Sequence, residues 1–279
     1  VGQRAKQYLQ TYDRDEPWFC WVSFGGPHEP WDTPEPYASM YDPSAMPKPV
    51  VRSQDDQPRP QGWLDFHMER NTPGLESTDA GDMRANYAGN VSLIDDQVGE
   101  ILDVIEERGE LTNTVIAFTS DHGEMNGDWG LIYKMNFLNG ALRVPLIVRT
   151  PETLVSGGGI ENDDLVENMD VGPTLVDLAG GELEHRHFGR SLVPTITGKS
   201  SDAFHRDEAL SEFRGEFMLM ADHWKMAINR EGETYLLFNL HDDPEETCNL
   251  AGLTEYGRTE DELRLRLLEC ISKTQLKEP

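Results

Sequence analysis

Residues 113–130 read NTVIAFTSDHGEMNGDWG, a stretch that begins as a buried strand and ends in side chains able to bind metal. Val115, Ile116, Ala117 and Phe118 form a short apolar run, as a strand shows when both of its faces are covered. Asp121, His122 and Glu124 follow at once, with Asn126 and Asp128 among glycines. Open α/β sheets bind ligands just beyond the carboxyl ends of their strands. A carboxylate beside an imidazole at this point therefore reads as a place for chemistry. An acidic, Gly-rich turn without a ligand is the competing reading, and the stretch alone leaves both open.

Outward from it, strands and helices alternate. Residues 3–12 have helical character, and PWFCWVSF (17–24) reads as a buried strand. That strand runs into GGPHEPWDTPEP, whose prolines exclude regular structure. Residues 33–81 are rich in Pro, Asp and Gly and read as a long surface excursion of the kind that is functional or disordered. Val91, Ile94, Val98, Ile101, Leu102 and Ile105 recur at three and four residues and predict an amphipathic helix over 84–108. Within it, Asp95 and Asp96 read as structural or solvated carboxylates. RVPLIVR (143–149) is a second strand, and DVGPTLVDLAG (170–180) is a helix closed by Gly180 and Gly181. This alternation predicts an α/β domain with a mainly parallel sheet flanked by helices. Beyond residue 200, FMLMADHWKMAIN and TYLLFNLHDD, separated by REGE, read as antiparallel strands with a hairpin turn. A closing helix follows over 257–276. The expected division is a large α/β domain over 1–200 and a small α+β subdomain with an antiparallel sheet over 201–279.

Composition narrows the chemistry. The 279 residues include 24 Lys and Arg against 51 Asp and Glu, a net charge of −27. Such a field argues against nucleic acid and anionic membranes as partners. It also disfavours anionic substrates unless the site carries its own positive charge. No apolar run is long enough to span a bilayer, and the mean hydropathy is −0.57. The three cysteines, Cys20, Cys248 and Cys270, are far apart and form neither a disulfide framework nor a zinc site.

Parallel strands would bring His28, after one strand, and Asp121–His122, after another, to the same edge of the sheet. Lys134 lies shortly after the acidic turn, and Arg143 opens the next strand. Asp with His makes a pair of metal ligands, and a nearby lysine can neutralise an oxyanion. Each also has a plain structural reading, His28 as a turn cap and Lys134 as a surface lysine. Two protein ligands are fewer than a tight metal site commonly has.

Four segments in order resemble the sulfatase family of the alkaline-phosphatase superfamily, and specifically its C-terminal portion. They are PWFCWVSFGGPHEPWDTPEPYASMYDP, YAGNVSLIDDQVGEILDVIEERGELTNTVIAFTSDHGE, YKMNFLNGALRVPLIVRTP, and WKMAIN with the later LFNLHDDPEETCNLA. The resemblance implies an alkaline-phosphatase-like fold and hydrolysis of a sulfate ester, of a sulfated glycan among other candidates. It makes Asp121 and His122 ligands of one divalent cation, usually Ca2+, with Mn2+ or Zn2+ as lesser choices. It places Lys134 on the sulfate and the nucleophile, and His28 on the sulfate or the leaving-group oxygen. Arg143 is a further substrate-binding candidate, and Glu124 is expected to support the turn.

The family's N-terminal CxPxR or SxPxR segment, matured to the nucleophile formylglycine, has no counterpart here. Cys20 is followed by Trp21, Val22 and Ser23, and neither Cys248 nor Cys270 begins that motif. The expectation is a chain that lacks the nucleophile and is inactive alone. A phosphodiesterase, phosphonate hydrolase or phosphoethanolamine transferase of the same superfamily is the near alternative; a non-catalytic relative is the distant one.

Overall fold

The computed structural model describes residues 1–53, 77–151, 159–197 and 206–274, with backbone alone for 77–79. The chain divides into two compact units. One comprises Val1–Pro49, Leu75–Thr114 and Thr150–Leu154; the other comprises Val50–Gly74, Val115–Arg149 and Val155–Pro279. The division expected near residue 200 falls outside the described residues.

The first unit is built on helices α1 (Gly2–Thr11) and α2 (Ser77–Glu107). Leu9 packs against Ile101 and Ile105, from the C-terminal part of the stripe that periodicity picks out, and against Val104, which that stripe does not include. Val91, in the same stripe, is exposed. Residues 17–24 correct the expectation of a buried strand. They take no ladder partner among the described residues, and their burial alternates. Trp18, Val22 and Phe24 face the helices, while Phe19 and Trp21 are 71% and 74% exposed. Period two was therefore present in a stretch whose uniformly apolar lettering concealed it. Arg108 ties α1 to this core by donating to the carbonyls of Leu9 (2.6 Å) and Tyr12 (2.9 Å).

In the second unit, strands β1 (Ile116–Thr119) and β2 (Leu146–Arg149) pair directly, Thr119 opposite Leu146. The pairing is antiparallel, which corrects the expected parallel arrangement; no parallel pairing occurs among the described residues. The cause lies in the connection. A parallel crossover must travel the length of a strand before the chain can run the same way again. Residues 120–145 instead stay at the carboxyl end of β1. The short helix α3 (Asn139–Leu142) leans on the strand end, with Gly123 N–H donating to Ala141 O at 2.7 Å. The chain thus enters β2 where β1 stopped.

Helix α4 (Val171–Leu178) and the short α5 (Val193–Thr197) follow. Strands β3 (Glu208–Phe213), β4 (Glu216–Ala221), β5 (Trp224–Ile228) and β6 (Thr234–Asn239) form a four-stranded antiparallel meander. The stretch 217–229 holds two of these strands, turned at Asp222 and His223. The other tight turn uses Arg214 and Gly215, both at positive φ (52° and 79°), as two-residue hairpins require.

Both faces of this sheet are covered. Leu219, Met226 and Leu237 pack on Leu263, Leu267 and Cys270 of the closing helix α6 (Gly257–Thr274). Met218, Ala227, Leu236 and Phe238 pack on Met125, Trp129, Leu131, Phe137 and Leu138. Double coverage explains why TYLLF reads as continuous hydrophobicity rather than alternation. No helix among the described residues is long and apolar enough to cross a membrane. Leu237→Ala should lower unfolding free energy by about 2–5 kcal/mol through lost burial and a residual cavity, seen as a lower denaturant midpoint at unchanged slope.

Candidate active site

The turn after β1 is shaped by hydrogen bonds of its own residues. Asp121 Oδ1 accepts the His122 N–H at 3.0 Å, and Ser120 Oγ donates to His122 O at 2.8 Å. His122 Nδ1 lies 2.8 Å from Gly123 O. A carbonyl only accepts, so this bond puts a proton on Nδ1, and in the neutral ring Nε2 is then the electron-pair donor. That nitrogen sits 3.7 Å from Asp121 Oδ2, and the two side chains are 36% and 87% exposed, respectively. A carboxylate oxygen and an imidazole nitrogen therefore stand side by side at a strand end, with the imidazole oriented by a backbone carbonyl as metal-binding histidines usually are.

Neighbouring elements hold this turn from two sides. On one side, a Cβ added at Gly123 would come within 2.1 Å of Gly140 O, so only glycine permits the contact with α3. On the other, Asn168 Nδ2 donates to Ser120 O (2.8 Å) and Asp121 O (3.3 Å), and its Oδ1 accepts from Thr119 Oγ1 (3.1 Å). Asn168 belongs to a 3-10 turn, Asn168–Asp170, that carries a capping box made by Glu167 and Asp170. Arg206 pairs with both carboxylates, reaching Asp170 Oδ1 at 2.6 Å. Burial raises the Glu167 carboxyl above its usual range, opposed by the Leu210 N–H and Arg206.

Lys134 returns to the same place by a closed excursion. Met125 N–H donates to Tyr133 O (2.8 Å), and Glu124 Oε1 accepts the N–H groups of Asn126 (3.2 Å) and Tyr133. Glu124 thus supports the loop. Lys134 Nζ lies 6.0 Å from the Tyr133 ring centroid. Arg143 closes α3, its N–H bonded to Asn139 O at 2.9 Å, and its side chain is exposed. His28 belongs to the other unit. There its Nδ1 is 2.9 Å from Glu29 O and 3.1 Å from Glu29 Oε2. Its loop is moored on α2: Thr33 Oγ1 donates to Asn86, Tyr37 Oη to Asp96, and Gly26 and Gly89 pack where a side chain would clash.

Asp121, His122, Lys134 and Arg143 are thus brought onto one stretch of one unit. As a metal site the donor set is partial. Asp121 and His122 suit a divalent cation in chemistry and direction, and no group of three or more His, Cys, Asp or Glu placed to hold a metal ion occurs among the described residues. Asn168, Glu246 and Lys225 were missed from sequence. A lone lysine inside FMLMADHWKMAI was the available signal for the last.

The chain has the alkaline-phosphatase-like fold. The crystal structure of the phosphonate monoester hydrolase of Agrobacterium radiobacter matches 98% of this chain and 60% of its own, with a TM-score of 0.84 at 26% identity. The sulfatase family model matches residues 1–181, and the model for the C-terminal part of N-sulphoglucosamine sulphohydrolase matches residues 127–273. The chain belongs to the sulfatase family. It is 32% identical to the multifunctional alkaline phosphatase superfamily protein PehA of Trinickia caryophylli, over 91% of this chain and 55% of that protein. It is 30% identical to an arylsulfatase of Clostridium perfringens, over 96% of this chain and 56% of that one. The chain spans about half the length of these curated relatives.

The close approach at Gly123 generates a test. Gly123→Ala should cost about 1–3 kcal/mol, because the methyl group can be accommodated only by moving α3 off the strand end. Denaturant unfolding measures it. Gly99→Ala, where nothing lies near the added carbon, should be neutral or stabilising.

Proposed function

We propose that this chain carries the metal-binding turn and an anion-binding lysine of a sulfuric ester hydrolase. The reading is supported chiefly by Asp121 and His122, which present converging donors at the end of β1, in a chain of the sulfatase family. A divalent cation, Ca2+ first and Mn2+ or Zn2+ after it, would be held by Asp121 and His122 together with donors beyond this pair. Bound there, it would supply Lewis-acid stabilisation of charge on the ester's oxygens.

The remaining roles fall to the chain's own side chains. Lys134 binds a sulfuryl oxygen and stabilises it as charge develops, and Arg143 adds positive charge on the same stretch. His28 gives a proton to the departing alkoxide oxygen, a task suited to an imidazole near neutrality. These cations make an anion site locally tolerable in a molecule of net charge −27. Formylglycine, the family's nucleophile, has no counterpart in these 279 residues, so activity is a property of a protein that includes it. A sugar-linked sulfate is the preferred substrate class, supported by the match to the N-sulphoglucosamine sulphohydrolase C-terminal model.

A second reading, hydrolysis of a phosphonate monoester, is favoured by the likeness to the Agrobacterium radiobacter enzyme. Comparing kcat/KM for an aryl sulfate and an aryl phosphonate ester in the complete protein separates the two. In that protein Lys134→Ala should reduce turnover about 10²-fold or more at unchanged melting temperature. Early melting with normal turnover of the folded fraction would make the lysine structural. Asp121→Ala should weaken divalent-cation binding in calorimetry, and unchanged affinity would remove it from the metal.

A further inference from the structure

The segment that bears Lys134 has little reason of its own to keep one shape. Asn126, Trp129, Tyr133 and Met135 all have positive φ, between 49° and 74°. Each such residue costs about 1–3 kcal/mol and persists only where its surroundings over-determine it. Between Gly130 and α3 there is no regular structure. Something outside the segment has to fix it.

The agent is a buried ion pair from the C-terminal sheet region. Lys225, on β5, and Glu246, in the turn after β6, have side chains only 1% and 2% exposed. The Lys225 ammonium donates to Phe137 O (3.1 Å), to Asn139 Oδ1 (2.6 Å) and to Glu246 Oε1. The other Glu246 oxygen accepts the Asn139 N–H (2.7 Å), and its backbone carbonyl accepts Trp129 Nε1 (3.0 Å). The contacts bracket Lys134, with Trp129 before it and Phe137 and Asn139 after it. They also reach the metal-binding turn, because Asn139 begins α3, and Gly123 binds Ala141 O and abuts Gly140 O.

Stability alone does not call for charges here. Lys225 stands opposite Phe238 in a sheet of largely apolar, buried side chains, and replacing a buried ion pair jointly by uncharged groups is often neutral or stabilising. Burial lowers the Lys225 pKa, the Glu246 carboxylate opposes that shift, and the field of Arg143 adds to it. What the pair does provide is direction, since two of the three ammonium hydrogen bonds end on the segment, at Phe137 O and Asn139 Oδ1, and the third fixes the ammonium on Glu246.

We propose that Lys225 and Glu246 are positioning residues for the candidate active site, setting the segment that bears Lys134 through Trp129, Phe137 and Asn139, and the Asp121–His122 turn through α3. The proposal deepens the function proposed above and rests on it for the role of those three side chains.

The test uses the complete protein with Lys225→Met and Glu246→Gln combined, which removes both charges and retains an acceptor for Asn139 N–H. Hydrogen exchange followed by mass spectrometry, Mn2+ binding and turnover are read together. The expected result is faster exchange over residues 123–142 with unchanged exchange in the β3–β6 sheet. The Mn2+ dissociation constant should rise about 10-fold or more, as loss of supporting contacts at metal sites does, and kcat should fall with it. Unchanged exchange over 123–142, or loosening that spreads equally through the sheet, would overturn the positioning role. So would normal Mn2+ affinity and kcat in a variant whose segment has loosened. Asn139→Ala leaves the two charges paired; it serves where the double variant does not fold, with the same expected local loosening. Wild-type protein that neither binds Mn2+ nor turns over ester would count against the proposed function, while its exchange pattern would still judge the ion pair.

Discussion

Residues 124–139 must satisfy their backbone polar groups with little regular structure beyond one 3-10 turn, and most of the second unit is arranged around that requirement. The segment packs its apolar side chains on the C-terminal sheet, where water cannot serve its inner carbonyls and amides. Turn bonds within the segment serve some of them, such as Gly127 N–H to Leu131 O at 2.8 Å. Side chains serve others: Glu124 takes two N–H groups, and Asn136 Oδ1 takes Leu138 N–H at 2.9 Å. Asp128 Oδ1 fastens the segment to Val50 N–H at 2.8 Å. Lys225 and Glu246 close the list from beneath. Trp129 gives the segment its apolar footing, edge-on to Phe238 at 5.9 Å with the Arg52 guanidinium over its other side.

This explains why functional side chains can sit on irregular backbone. Loops suit chemistry because their side chains project freely, but a loop that must hold a cation and an anion in register needs rigid support. Here the support is a sheet with a helix packed on its far face. The turn at Asp121 gains a second support from Asn168, itself locked by the Glu167–Asp170 box and Arg206. The polar residues that look unlike their surroundings, Lys225 in a hydrophobic strand and Asp170 at a helix start, are the ones that carry load between layers.

Electrostatics works at two scales. Over the whole surface the acidic excess repels anions, whereas Lys134 and Arg143 gather positive charge on one short stretch. Charges beyond a Debye length are screened, so an anion near that stretch responds chiefly to the cations close to it. The Asp121 carboxylate is itself exposed, with His122 Nε2 3.7 Å away.

Much was legible in the sequence because it depended on local pattern. Periodicity marks most of α2, the lettering of α1, α4 and α6 is helical, and apolar runs mark β1, β2 and β4 to β6, although β4 and β5 read as one strand and β3 carries no such signal. The turn SDHG announced its donors through residue type alone, and four ordered segments were enough to name the family. What could not be read were relations between segments. The letters of RVPLIVR are equally good for a parallel or an antiparallel strand, and the choice fell to α3, whose contact at Gly123 keeps the chain at one end of β1. Residues 17–24 look uniformly apolar, yet only the packing of α1 and α2 decides that Trp18 is covered and Trp21 is not. Lys225 reads as an oddity until Phe137, Asn139 and Glu246 are folded around it. A side chain's type is a property of one position, whereas its partners come from chain closures that no local pattern encodes.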